Sequence, residues 1–256
     1  MKILQVRNAT IKIEYAGKKI LVDPMLAEKG AYPGFEGTVN SHKFNPLVDL
    51  PLSVNEVLDV DAIIVTHVHP DHWDEAAKNL APKEMLIFAQ NEKDAADIQA
   101  TGFINTRILT EHTVFYDITL IKTPGQHGTD EALGRMGDVL GEVCGVVFKH
   151  PDERTLYLAG DTVWNQYVED NLNKYAPDVI VLNSGDAQVI GLGSIIMGKQ
   201  DVYDVYQAAA GATIIASHME SVNHATLSRK ELRDFLKENG MTQRVLVPED
   251  GESYGF

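Results

Sequence analysis

The chain carries one cysteine, Cys144, among its 256 residues. A lone thiol excludes an internal disulfide and suits a reducing compartment, so a cytoplasmic location is expected. Cys144 falls in the apolar run Val143–Phe148, where a buried, inert thiol is expected. No apolar run reaches the roughly 18 residues that a transmembrane helix needs, so no membrane association is expected. The opening stretch MKILQVRNATIKIEY lacks a long apolar segment and a small-residue cleavage site, and reads as a first strand rather than a signal peptide. Basic residues are scarce: 22 Lys and Arg stand against 37 Asp and Glu, a formal charge of −15. A field of that sign repels polyanions, so nucleic acid is not an expected partner. The nucleophile-elbow pattern G-x-S-x-G is also missing, and nothing else points to covalent catalysis.

What is present is an ordinary globular balance, 44% hydrophobic and 23% charged. Eleven short β-branched runs read as strands, among them Lys2–Val6, Thr10–Tyr15, Ala62–Thr66, Ile118–Thr123, Thr155–Ala159, Val179–Leu182 and Thr213–Ala216. The early ones alternate polar and apolar residues. Ile63-Ile64-Val65 and Val179-Ile180-Val181-Leu182 are apolar throughout and belong in sheets covered on both faces. Helical patterns fall between the later strands, at Asp74–Leu80, Glu92–Ala100, Trp164–Tyr175, Asp201–Ala210 and Ser228–Asn239. The last is the best marked, with Ser228 and Glu231 spaced as a capping box and Gly240 at its end. Two stretches lack periodicity. Pro24–Leu58 holds four prolines and three glycines and is expected to serve as a lid or pocket wall; Gly125–Gly141 holds five glycines. No composition shift marks a linker, so residues 1–256 are expected to form one domain. Assembly into a homo-oligomer is compatible with the sequence.

The decisive segment is Thr66-His67-Val68-His69-Pro70-Asp71-His72, at the end of a buried strand and before a helix. It packs three of the nine histidines and a carboxylate into six residues. Each is a good ligand for a borderline cation, and a loop at a strand end lets neighbouring side chains converge. Three further polar residues stand at strand ends: His127 in Gly125-Gln126-His127-Gly128, Asp161 in Ala159-Gly160-Asp161-Thr162, and His218 in Ala216-Ser217-His218. Taken singly, His127 could be a loop histidine, and Asp161 could cap the helix at Trp164–Tyr175.

The pattern H-x-H-x-D-H after a hydrophobic strand, followed in order by these three motifs, resembles the metallo-β-lactamase superfamily over essentially the whole chain. The segment Ile20-Leu21-Val22-Asp23-Pro24 resembles the branch that contains the ascorbate-6-phosphate lactonase UlaG. The resemblance implies an α/β fold, a four-layer αββα sandwich with the metal site along one edge. It implies two divalent metal ions: His67, His69 and His127 would hold the first, Asp71, His72 and His218 the second, and Asp161 would bridge both. With no thiolate among the donors, zinc is the first expectation, and manganese and iron are compatible.

Seven nitrogen and oxygen ligands are too many for one tetrahedral ion that keeps an open position. The expected activity is metal-dependent hydrolysis of a small-molecule ester or lactone, with or without a phosphate, by a hydroxide bridging the two cations, which lower the pKa of water from 15.7 to about 7. Asp71 would ligate and orient that nucleophile. His224, in the loop that starts at His218, is read either as a proton donor to the leaving group or as an exposed histidine. His218 is preferred over His224 as the ligand because it directly follows a strand. Asp23 and Glu220 are candidates to hold ligating histidines from behind. Lys29, His42 and Lys43 could meet an anionic group on the substrate or form a solvated surface. Two alternatives stand: a phosphodiesterase or RNA-processing nuclease of the same fold, which the charge disfavours, and a non-catalytic metal-binding sensor on this scaffold.

Overall fold

A computed structural model describes residues 1–256 as two seven-stranded sheets with seven helices. The first sheet runs in the order Ser253–Gly255, Lys2–Arg7, Thr10–Tyr15, Lys18–Val22, Ala62–Val65, Ile87–Ala89, Thr106–Ile108. The second runs Val245–Leu246, Thr213–Ser217, Val179–Asn183, Leu156–Leu158, Cys144–Lys149, Ile118–Pro124, Thr113–Phe115. Each sheet is antiparallel where hairpins join successive strands and parallel where helices intervene.

The period of two within a strand decides the layers. Ile64 of Ala62–Val65 and Val181 of Val179–Asn183 face inward with Ile13, Phe88, Val146 and Phe148, making the core between the sheets. Ile63 and Val65 face outward, under Trp73, Ala77, Ala95 and Ile98. Ile180 and Leu182 face outward under Val168, Leu172, Val202, Leu232 and Leu236. Two outer cores and one inner core make four layers, αββα. This matches the expected fold class, and it explains why those two strands are apolar on both faces. Trp73 and Met197 are core residues. Cys144 is fully buried, and burial pushes its thiol well above the usual range. No helix is long and apolar enough to cross a membrane.

The two stretches without periodicity differ from expectation. Pro24–Leu58 is not wholly irregular: Tyr32–Pro33 pairs with Phe44–Asn45, and Val54–Leu58 forms a short helix capped by Ser53. Gly125–Gly141 contains an eleven-residue helix, Asp130–Leu140. Its glycines hide the pattern, but Gly134 and Gly137 sit within it, and the Thr129 side chain caps it by accepting from the Ala132 N–H. The helix expected at Asp201–Ala210 starts earlier, at Lys199, because Asp201 reaches back to accept the Gly198 N–H at 2.8 Å.

Candidate metal centre

Five strand ends meet at one edge of the sandwich. Ala62–Val65 delivers the loop with His67, His69, Asp71 and His72; Ile118–Pro124 delivers His127; Leu156–Leu158 delivers Asp161; Thr213–Ser217 delivers His218. Lys18–Val22 delivers Asp23 from behind. Two glycines permit the approach. A side chain at Gly160 would collide with the Cys144 carbonyl, and one at Gly185 with the His218 carbonyl. His218 itself adopts φ +61°, a conformation that costs a non-glycine residue about 1–3 kcal/mol and persists where surrounding structure enforces it. Its N–H is tied to the Asn8 carbonyl at 3.0 Å.

All seven candidate ligands converge. His67 Nε2 faces His69 Nδ1 at 3.0 Å, and His127 completes a group of three. His72 Nε2 lies 3.2 Å from His218 Nε2, and His218 Nε2 lies 3.3 Å from Asp71 Oδ2. Asp161 Oδ2 stands between the groups, 3.1 Å from His72, 3.8 Å from both His127 and His218, and 4.0 Å from His67. Ligand bonds of about 2.0–2.1 Å in tetrahedral geometry put donor atoms roughly 3.3 Å apart. The observed spacings, 3.0 to 4.0 Å, bracket that value. The donor set therefore suits divalent-cation binding.

Charge follows the same pattern. Burial, then the neighbouring imidazoles of His72 and His69, holds His67 well below the usual histidine range. Burial also lowers His127 to about 4. Both are thus neutral donors at neutral pH, as ligation requires. Burial works against ionising Asp71 and Asp161, but His72 and His218 outweigh it and hold both well below the carboxylate range. Burial likewise opposes a charge on His72, and Asp161, Asp71 and Asp23 overcome it and raise His72 well above its usual value. The concentration of carboxylates that raises His72 is what a divalent cation would balance.

Behind the ligands, Asp23 Oδ2 accepts from His72 Nδ1 at 2.9 Å and from the Thr66 hydroxyl at 2.7 Å, while Oδ1 accepts the Thr66 N–H at 2.7 Å. Asp23 is therefore a support for a site histidine and not a bare turn residue. Glu220 is not one: a left-handed turn at φ +58° sends it to Arg229, whose backbone N–H and guanidinium it accepts at 3.1 and 2.9 Å. Asp161 is not a helix cap, since Asn165 caps the helix Gln166–Tyr175. His224 is not exposed. It is buried in the cavity wall, outside the three ligand groups, edge-on to Phe35 with ring centroids 5.0 Å apart, and burial lowers it to about 4. Lys29, His42 and Lys43 are exposed and do not line the cavity.

Two residues escaped the sequence reading. Asn183 donates to Asp161 Oδ1 at 2.7 Å, orienting the carboxylate so that Oδ2 faces the histidines. It ends the apolar strand Val179–Asn183, and that position was the available signal. Asn223 accepts the Phe35 N–H at 3.0 Å and donates to Thr38 Oγ1 and the Val39 carbonyl, both at 2.8 Å. It thereby pins the Pro24–Leu58 connection beside His224. Phe35, Glu36 and Thr38 from that connection line a cavity of about 220 Å³ over Asp71, His127 and Asp161. No motif marks Asn223, because its partners lie some 180 positions away.

The model of the Beta-lactamase superfamily domain matches residues 18–219, and the chain belongs to that superfamily as a metal-dependent hydrolase. It is 55% identical to the Bacillus subtilis (strain 168) UPF0173 protein YddR over the full length of both. It is 24% identical to a UPF0173 metal-dependent hydrolase of Caldivirga maquilingensis, covering 96% of this chain and 93% of the relative. Among solved structures, an isothiocyanate hydrolase from Delia radicum gut bacteria superposes with a TM-score of 0.98 at 50% identity, over 100% of this chain and 99% of that one.

Proposed function

We propose that this chain hydrolyses a small, uncharged electrophile of the isothiocyanate class, R–N=C=S, at a two-cation centre. His67, His69 and His127 would hold one ion and Asp71, His72 and His218 the other, with Asp161 placed to serve both and zinc the ion best suited to this donor set. The observation that carries the reading is the wall of the cavity: Phe35, Met136, Val139, Val189 and Ile195 surround the cluster, and no lysine or arginine lines it. Apolar walls suit an organic substituent, and about 220 Å³ suits a small one. A phosphate would want a cationic or multidentate partner, so a phosphorylated lactone fits less well than its uncharged counterpart. The likeness to the isothiocyanate hydrolase adds independent support.

Bound cations would lower the pKa of water from 15.7 to about 7 and favour negative charge developing on the substrate. The chain's own groups supply the rest. R–N=C=S and water give R–NH2 and O=C=S: a C–O bond forms, the C–N bond breaks, and both protons of water end on nitrogen. Asp71 faces the cavity and orients the attacking water. His224, on the same wall and neutral because burial lowers it to about 4, takes a proton from the attacking water and passes it to the departing nitrogen. Phe35 screens the reacting carbon from bulk water.

The test is a substrate panel on zinc-loaded protein: phenethyl isothiocyanate, an acyl homoserine lactone, p-nitrophenyl acetate and bis(p-nitrophenyl) phosphate. The expected result is amine release from the isothiocyanate at the highest kcat/KM of the four. Turnover of the lactone or the phosphodiester with no amine from the isothiocyanate would overturn the assignment.

A further inference from the structure

The helix Asp130–Leu140 covers the metal cluster but is weakly built into the fold. Of its eleven residues only Ala132 and Leu140 are buried. They pack on Ala187, Val189, Ile195 and Ile196, a small cluster apart from the three main cores. Gly134 and Gly137 interrupt it, Gly141 ends it, and Met136 departs from helical geometry at φ −133°, ψ 18°. Open clefts of about 730 and 750 Å³ undercut it on its two sides, one reaching Thr123 and His127, the other Asp94 and His69. Val139 is 65% exposed, so its side chain does not anchor the segment. Its carbonyl does: it accepts from His69 Nε2 at 2.9 Å.

That bond has a consequence for the metal. His69 presents Nδ1 to the cluster, 3.0 Å from His67 Nε2. A neutral imidazole carries one proton, so donating from Nε2 to Val139 leaves Nδ1 as the lone-pair donor that a cation needs. We infer that the Val139 carbonyl is a positioning group for His69, so that cation binding and docking of the segment 129–141 over the cavity are one coupled event. The inference rests on the reading of His69 as a ligand. Coupling of this kind is reciprocal: what the ion gains from the docked segment, the segment gains from the ion. The same segment carries Met136 and Val139 into the cavity wall, so loading the ion also shapes the substrate pocket.

The experiment is a zinc titration of the whole protein, with zinc uptake measured alongside amide hydrogen exchange over residues 130–141 and tryptic cleavage after Arg135. The expected result is that exchange and cleavage both slow, by about 5–150-fold, with the midpoint of zinc uptake. Leu140→Ser, which removes an apolar anchor without touching a ligand atom, should speed exchange of the segment and weaken zinc binding at one site by a matching factor. Zinc uptake with no change in exchange would overturn the coupling while leaving the metal centre intact. So would a Leu140→Ser protein with a freed segment and unchanged affinity. Failure of the protein to take up zinc, manganese or iron at all would overturn the metal centre, and the coupling with it.

Discussion

The two halves of the cluster both draw on histidines and differ in what stands behind those side chains. His72 leans on the Asp23 carboxylate, which also accepts the Thr66 N–H and hydroxyl, while the Asp23 backbone carbonyl accepts from the Thr10 hydroxyl. His69 and His127 lean on single backbone carbonyls, Val139 at 2.9 Å and Ile195 at 2.8 Å, both beside the small outlying cluster. A charged acceptor buried in the main fold makes the stronger, more fixed support. The comparison teaches that one half of the site is assembled by folding of the sandwich itself. The other half also rests on the peripheral helix, through the Val139 carbonyl, and on Ile195, which follows the Gly193–Ser194 strand.

The widest expected contrast lies within the loop after Thr213–Ser217. His218→Ala removes a donor from the core-supported half and should cost that half its ion. His224→Ala removes a cavity wall residue outside the ligand groups, and should keep both ions while lowering kcat by about 10²–10⁴-fold. Metal content by elemental analysis beside steady-state kinetics checks both. If His224→Ala sheds metal and His218→Ala does not, the two roles are exchanged.

A smaller contrast follows at Asp23. Asp23→Asn preserves size but replaces a charged acceptor of the His72 proton by a neutral amide. Loss of such an outer partner costs about 10–100-fold in metal affinity. The loss should fall on the half holding His72, with the other half unchanged. Equal weakening of both ions in competition with a chelator would show that Asp23 supports the edge as a whole, and the contrast would disappear.

The sandwich was legible because its signal is local. The period of two in Thr10–Tyr15 and the unbroken apolar runs at Ile63 and Val179 state which faces are covered. The candidate ligands were legible because six residues from His67 to His72 concentrate donors that no packing demand explains. What stood behind them was less so. Asp23 carried a motif but no indication of its partner. Asn183 and Asn223 act through hydrogen bonds across 22 and about 180 positions, and a single asparagine has no periodicity to announce it. The helix Asp130–Leu140 was hidden because its glycines disfavour helix by roughly 1 kcal/mol each, and tertiary contacts at Ala132 and Leu140 override that preference.

The smallest contrast is between two helix starts. Arg229–Glu238, in the outer core layer, opens with a full capping box: Glu231 Oε2 accepts the Ser228 N–H at 3.0 Å, and the Ser228 hydroxyl caps the Glu231 N–H at 3.2 Å. Asp130–Leu140 has the Thr129 cap but Ala132 in place of the returning acid. The Ser228 hydroxyl, then its N–H, holds the Glu231 carboxyl below its usual value of 4.5. A carboxyl lowered in the folded state binds fewer protons there than in the unfolded chain. Its stabilisation is therefore complete above 4.5 and fades as pH falls through the lower, folded value. Glu231→Gln keeps an oxygen for the Ser228 N–H and removes the charge at the helix start. Because Glu231 is exposed and screened, the melting temperature should fall by less than the roughly 2–4 °C that 1 kcal/mol moves a domain of this size. The deficit should be present at pH 7 and vanish toward pH 3. Introducing the missing acid, Ala132→Glu, gives no such gain, because Ala132 is fully buried against the outlying cluster and a carboxylate there would pry the helix off. Melting curves of both variants across that pH range check the pair. A Glu231→Gln deficit that persists undiminished at pH 3 would mean that the box acts through packing and not through its charge.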